Sequence, residues 1–197
     1  WEQFKLPYEN RLLPVIDLSS FGGLEASDSD DQLTIQGVGF SIHFDKKTGL
    51  LEKYILDGKE IISRPLRPNF WRPQTDNDRL GAMTHIYQAV WKQAGTSTKL
   101  SHFSWNDDHD QVISVNAMHE LPEAGSRINM QYLCYATGDI RIEYSFIPGK
   151  DLPDIPRVGL QMGVSAALDQ MTWFGRGPGE SYSDRKSSVP IGVYEAD

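Results

Sequence analysis

Cysteine occurs once in the chain, at Cys134, and that scarcity excludes an intrachain disulfide framework. Set in the alternating run INMQYLCYA, its thiol reads as a small buried apolar group. A disulfide-free chain suits cytosol and periplasm alike, so the compartment stays open. Basic residues are also in the minority, with 19 lysines and arginines against 27 acids and a formal charge of -8. Without a basic run or a basic amphipathic helix, that balance argues against nucleic acid and membrane surfaces and favours a neutral partner. No apolar stretch is long enough to span a bilayer, and no secretory leader pattern is present. G-x-S-x-G elbows, phosphate loops and dinucleotide fingerprints are missing, as are internal repeats and low-complexity tracts. The chain also lacks an initiating methionine. Trp1 opens WEQFKLPYEN, which reads as a cut inside a longer polypeptide, and the final GVYEAD is strand-like without a terminal cap.

What is present is a 39% apolar content over 197 residues, enough for one well-buried core or for a domain plus a fragment. Glycine, serine and aspartate cluster in SSFGGLEASDSDD as loop or linker residues do, which places a boundary near Asp30. Beyond it, Val38, Phe40, Ile42 and Phe44 alternate with small or polar residues, the period of a strand with one buried face. The turn DKKTG and the run LLEKYI follow, so Val38 to Ile55 reads as a hairpin and Asp57-Gly58 marks the next turn. QVISVNAM, RINMQYLCYA, DIRIEYSF, PRVGLQMGV and MTWFG continue the alternation, cleanest at Ile140, Ile142, Tyr144 and Phe146. Short strands at this spacing predict an all-β sandwich or barrel. One stretch predicts a short helix: in MTHIYQAVWKQAG, Ile86 and Val90 stand four apart beside Tyr87 and Trp91, and Gly95 is placed as a stop.

The helix follows the loop NFWRPQTDNDRLG, where three chemistries compete: a sugar-stacking wall of Phe70 and Trp71, a metal loop, and proton transfer by Asp76 or Asp78. Calcium fails on spacing, because Leu80 stands at the fifth position of an EF-hand-like loop and Tyr87 at the twelfth, where oxygen ligands are required. A helix-entry turn, capped by one of these Asp or Asn residues, is the plainer reading. In NDDHDQ, His109 lies among Asp107, Asp108 and Asp110, but neighbours on an extended chain point to opposite faces, which favours a solvated turn over a metal site. His43, His85, His102 and His119 share no defensible ligand spacing. The third candidate is WFGRGPGESYSDRK, whose Glu180 and Asp184 would serve as a glycosidase pair at about 5 Å or about 6.5–9.5 Å. On residue chemistry alone, a corner built of Glu180, Tyr182, Asp184 and Arg185 by carboxylate–guanidinium bonds is favoured.

Together the two loops are specific. NFWR followed by TDND, and later G-P-x-E-x-Y-x-D-R, closely resembles the C-terminal, small-chain domain of bacterial β-galactosidases of glycoside hydrolase family two. FSIHFDKKTGLLEKYILDGKE is similar to that domain's opening hairpin, and WEQFKLP to the end of the immunoglobulin-like domain before it. The resemblance implies a galactose-mutarotase-like super-β-sandwich from residue 31 to 197, incomplete at its C-terminal end, preceded over residues 1–30 by an immunoglobulin-like tail and linker. It implies one module of a retaining hydrolase of terminal β-D-galactosides, whose catalytic glutamates lie in a TIM barrel outside this segment. The segment itself would be non-catalytic. Asp76, Asn77, Asp78 and Gly81 are carried over as a loop at the active-site rim, and Glu180, Tyr182, Asp184 and Arg185 as a structural loop. Partners would be the parent's other domains, the barrel above all, a β-galactoside and further subunits of a homo-oligomer. Mg and Na would belong to the parent, with no metal in this segment. Pro73-Gln74 where the family commonly has alanine-proline, and the added Leu80, predict a different loop shape. The competing classes are a free-standing carbohydrate-binding module, which needs exposed aromatics on one face, and an interaction domain, which needs an apolar patch.

Overall fold

A computed structural model describes residues 3, 16–81, 83–109, 111–182 and 184–197; of Asp108 and His109 it describes only the backbone. WEQFKLP therefore falls outside the described residues except for Gln3, and so does Asp110 of the NDDHDQ candidate. Contacts divide the chain into two units, one of Asp17–Ser165 and one of Ala166–Asp197 with the N-terminal residues up to Ile16.

The larger unit begins with an antiparallel sheet in chain order: β1 (Glu25–Asp28), β2 (Gln32–Gly37), β3 (Phe40–Asp45), β4 (Leu50–Leu56) and β5 (Lys59–Glu60). The segment read as linker thus contributes a strand, since Glu25–Asp28 pair with Leu33–Gln36. Asp45 closes the β3–β4 turn by accepting from the Lys47 and Thr48 amides, at 2.8 and 2.7 Å. Asp57 and Gly58, with φ of 48° and 74°, make the left-handed two-residue turn that suits the twist of β4 and β5. Val38 departs from expectation. It sits in the β2–β3 turn and is 82% exposed, while Phe40, Ile42 and Phe44 are buried as their alternation requires.

β6 (Ile62–Asn69) leads into the loop of residues 69–81, named the rim loop for the expectation above, then two short helices, α1 (Thr84–Tyr87) and α2 (Val90–Ala94). A four-stranded antiparallel sheet follows, formed by β7 (Lys99–His109), β8 (Val112–Leu121), β9 (Ser126–Tyr135) and β10 (Ile140–Ile147) in the order β10-β9-β8-β7. NDDHDQ is therefore mostly the end of strand β7, not a turn. β11 (Gly159–Val164) pairs with β6. The apolar faces of the two larger sheets meet in one core, where the Phe44 and Tyr132 rings stand edge to face at 4.9 Å and Leu33, Ile35, Ile42, Ile113, Val115 and Met130 are buried around them. Cys134 is fully buried on β9, and burial pushes its thiol up to about 12. This is an all-β sandwich, as the alternation predicts.

The helix expected over MTHIYQAVWKQAG is split at Gln88–Ala89, and its buried residues are Thr84 in α1 and Trp91 and Ala94 in α2; Ile86 and Tyr87 face water. Gly95 has an ordinary right-handed φ of -74°, so it is no left-handed stop. A Cβ there would lie 2.2 Å from the Pro68 carbonyl oxygen, so glycine is required for α2 to approach β6.

In the smaller unit, β12 (Met171–Arg176) and β13 (Ile191–Ala196) form an antiparallel hairpin with Trp173 opposite Tyr194 and Phe174 opposite Val193.

Candidate functional site

The rim loop is anchored at both ends. Where β6 stops, the Asn69 side-chain oxygen accepts from the Trp71 amide at 2.9 Å, turning the chain and driving Phe70 into the core. Phe70 is fully buried against Trp91 and Phe146, with ring centroids 5.7 and 5.3 Å away. It cannot be half of a sugar-stacking wall, and Trp71 too packs against the core. Beyond them, Thr75 and Asp78 form a reciprocal cap: the Asp78 carboxylate accepts from the Thr75 amide at 2.9 Å, and the Thr75 hydroxyl accepts from the Asp78 amide at 3.3 Å. The spacing T-x-x-D carries the signal for this box. The turn it opens, Asn77–Gly81, is π-helical, an uncommon conformation found often at functional sites.

Arg72 completes the brace. Its guanidinium donates to both carboxylate oxygens of Asp78, at 2.7 and 3.2 Å, and also to the carbonyls of Pro73 and Pro156, each at 3.2 Å. The loop is thereby tied to the segment preceding β11. Adjacency suggests Arg79 as the partner of these acids, but the structure selects Arg72, six residues before Asp78. The Thr75 amide, and after it the Arg72 guanidinium, hold the Asp78 carboxyl below the usual carboxylate range against an opposing effect of burial. Thr84 continues the network, accepting from Gln74 at 2.6 Å and donating to the Asp78 carbonyl at 3.2 Å. The expected helix cap is therefore one turn early. Asp78 caps the π-helical turn, whereas α1 begins after Met83 with no side-chain cap and Met83 itself has a left-handed φ of 44°.

The remaining predicted rim residues point outward. Asp76, Asn77 and Gly81 are exposed, and Leu80 is 84% exposed at the tip. Gly81 has no left-handed φ, and a Cβ there would meet nothing within 4 Å. What the loop offers is a rigid, charge-neutralised base and an exposed tip.

The second loop joins β12 to β13 in the smaller unit. Arg185 donates to Glu180 at 2.6 Å, so Glu180 supplies the carboxylate–guanidinium corner and exposed Asp184 does not. Arg176, not singled out in the sequence, donates to the carbonyls of Lys186 and Val189 and closes the loop's neck. Tyr194 donates to the Pro190 carbonyl at 2.9 Å, and its ring stands where a Cβ on Gly177 would be, 2.7 Å away. Arg185 also donates its amide to the Tyr182 carbonyl at 2.8 Å.

Comparison with known proteins matches residues 36–197 to a family described as "Beta galactosidase small chain". The chain is 32% identical over 195 residues to a protein of Priestia megaterium named "Beta-galactosidase", covering 99% of this chain and 18% of that protein. Proteins of the same name from Vibrio cholerae and Actinobacillus pleuropneumoniae are each 30% identical, over 99% and 98% of this chain and 20% and 19% of theirs. The chain thus spans about a fifth of the length of these relatives.

Proposed function

This chain belongs to the β-galactosidase small-chain family, and on that premise we propose that it works as one segment of a retaining β-galactosidase about five times its length. The observation that carries the reading is the near-complete coverage of this chain by relatives of that name, of which it makes up so small a share. The catalytic glutamates belong to the parent's barrel, outside this segment. The segment supports the barrel and lends the loop of Asp76, Asn77, Asp78 and Gly81 to the rim of the galactoside site.

The chemistry of Asp78 supports a bracing role. A general acid needs a carboxyl raised toward neutral pH by burial or like charge, and Asp78 is shifted the other way by the Thr75 amide and Arg72. It stays an acceptor, suited to holding Arg72 and the turn in place. The exposed Phe174 and Val193, side by side on one face of the β12–β13 hairpin, suit contact with the parent's other domains. That same face favours an assembly surface over a carbohydrate-binding module, because a lone ring beside Val193 and Ile191 makes a poor sugar platform. The residues before Asp17 are read as the tail of a preceding immunoglobulin-like domain, whereas Glu25–Asp28 belong to this segment's own sheet. Mg and Na, where the parent uses them, belong on this reading to its other domains. The parent assembles as a homo-oligomer.

The experiment is kinetic. In the full-length enzyme, Asp78→Asn should lower turnover and binding of a chromogenic β-galactoside modestly and together. Near-complete loss of turnover with intact fold, restored by added formate or acetate, would identify a proton carrier and sink the bracing role.

A further inference from the structure

Within the larger unit, α2, β6 and β11 line an open-sided pocket of about 340 Å³, whose wall includes Asn69 and Phe70 at the start of the rim loop. Its ionisable lining residues are Arg64, Arg67 and Lys92, and among the described residues that line it none is acidic. In a chain of net charge -8, a cavity with only cations is a local reversal of sign.

Backbone irregularity builds it. Arg67 lies opposite Gln161 and Arg64 opposite Gly163, so between these pairs β6 advances three residues while β11 advances two. Residues three apart on a regular strand face opposite ways; the extra residue in β6 turns both arginines to one face. Pro65 lies in the bulge, one of the places in a sheet where a proline is tolerated. Gly163 leaves room for Arg64 to lie across it, since a Cβ there would be 2.7 Å from the arginine Nε. Gly95, by its close approach to Pro68, brings α2 and Lys92 to the opposite wall. Asn69 donates to the Gln161 side-chain oxygen at 3.2 Å, which turns the Gln161 NH₂ away from that bond as a further donor. Buried Phe70 and Trp91 floor the space. Among the described residues, none of the three cations makes an ion pair.

We propose that this cavity binds an oxyanion, a phosphate or carboxylate group carried on a ligand of about monosaccharide size. Two guanidinium forks, an ammonium and an amide donor line one pocket without a competing carboxylate, the donor set that planar or tetrahedral oxyanions take. The concave, apolar-floored setting strengthens their field, and the volume is at the lower end of small-ligand pockets, about 300–1,000 Å³. The site is independent of the parent's galactosidase reading and shares no residue with the rim loop's brace.

The test is an amide NMR titration of the 197-residue chain at low salt with inorganic phosphate, glucuronate, galactose and hexaglutamate. Phosphate and glucuronate should shift the Asn69 and Gln161 side-chain amides and the Gly163 amide saturably, while neutral galactose at equal concentration does not. Arg64→Gln with Arg67→Gln and Lys92→Gln should weaken both anions by about tenfold or more, with amide dispersion retained because all three side chains are exposed. Raising NaCl should weaken them in the unsubstituted chain as well. Failure of both small anions to saturate, shifts that survive the triple substitution, or saturation by hexaglutamate alone would overturn the proposal, the last by showing a surface for acidic polypeptide instead.

Discussion

Breaking the Arg72–Asp78 brace is the sharpest perturbation of the rim loop. Asp78→Asn keeps, at the Oδ2 position, the oxygen that accepts both from the Thr75 amide and from Arg72 at 2.7 Å. It sets an NH₂ against the second Arg72 nitrogen at 3.2 Å and removes the charge, so a two-point charge-assisted contact is reduced to one bond to a neutral oxygen. Hydrogen bonds to charged groups contribute about 1.5–3 kcal/mol. Both side chains keep roughly a fifth to a quarter of their surface in water, 24% for Arg72 and 19% for Asp78. Solvent screening and side-chain entropy therefore discount the loss to about 1–2 kcal/mol. Arg72→Met should cost more, because the Pro73 and Pro156 carbonyls lose their donor too. Urea unfolding of the two single variants and the double variant gives the coupling energy, expected at about 1–2 kcal/mol. Hydrogen exchange at the Thr75 amide should accelerate in Asp78→Asn even if the loop opens locally before the core unfolds. A coupling energy below about 0.3 kcal/mol, with Thr75 exchange unchanged, would refute the brace.

Three other outcomes follow from the geometry. Burial pushes the imidazoles of His119 and His43 below their ordinary value, and His119 Nε2 donates to the Thr48 carbonyl at 2.8 Å. The folded state thus binds fewer protons: stability is full above the unfolded value of about 6.5 and falls as pH drops toward the folded values, by at most about 1.4 kcal/mol per pH unit for each histidine. Urea midpoints at pH 7.5 and 5.5 should differ accordingly, and the difference should shrink in His119→Gln; an unchanged difference contradicts this. Gly95→Ala should destabilise strongly because its Cβ meets the Pro68 backbone, whereas Gly81→Ala should leave the melting temperature unmoved, and equal shifts would count against the packing described. The Glu180–Arg185 pair is more than half exposed, so Glu180→Gln should cost under about 1 kcal/mol and Asp184→Asn less still, measured by thermal melts; a larger Asp184 effect would mean the corner is built differently.

Period-two alternation made the sandwich legible: Phe40, Ile42 and Phe44 and the set from Ile140 to Phe146 lie where it puts them, and Asp57-Gly58 turns as such pairs do. Strand β7 was hidden by a register shift between Leu100 and His102, which breaks the alternation of its apolar residues. β6 was hidden by Pro65 and Pro68, tolerated because one occupies a bulge and the sheet has only two strands. The helix was misread because Trp91 and Ala94 are buried three apart, while the four-residue spacing of Ile86 and Val90 suggested another face. In the rim loop, acid clustering pointed to a cap, and Thr75-x-x-Asp78 held it. No local pattern, however, distinguishes Arg72 from Arg79 as the partner of Asp78, because that choice depends on the Pro156 carbonyl far along the chain. Gly95 was legible as special but for the wrong reason, since close approach to another strand leaves no trace in neighbouring residues.

On the function proposed above, this segment serves a galactosidase without performing its chemistry. The most direct test is hydrolysis of a chromogenic β-galactoside by the 197-residue chain purified to homogeneity. Retaining hydrolysis needs a carboxyl pair acting as acid and nucleophile, so the rate should match the buffer blank. Turnover above background that is abolished by Glu180→Gln or Asp184→Asn would contradict the account.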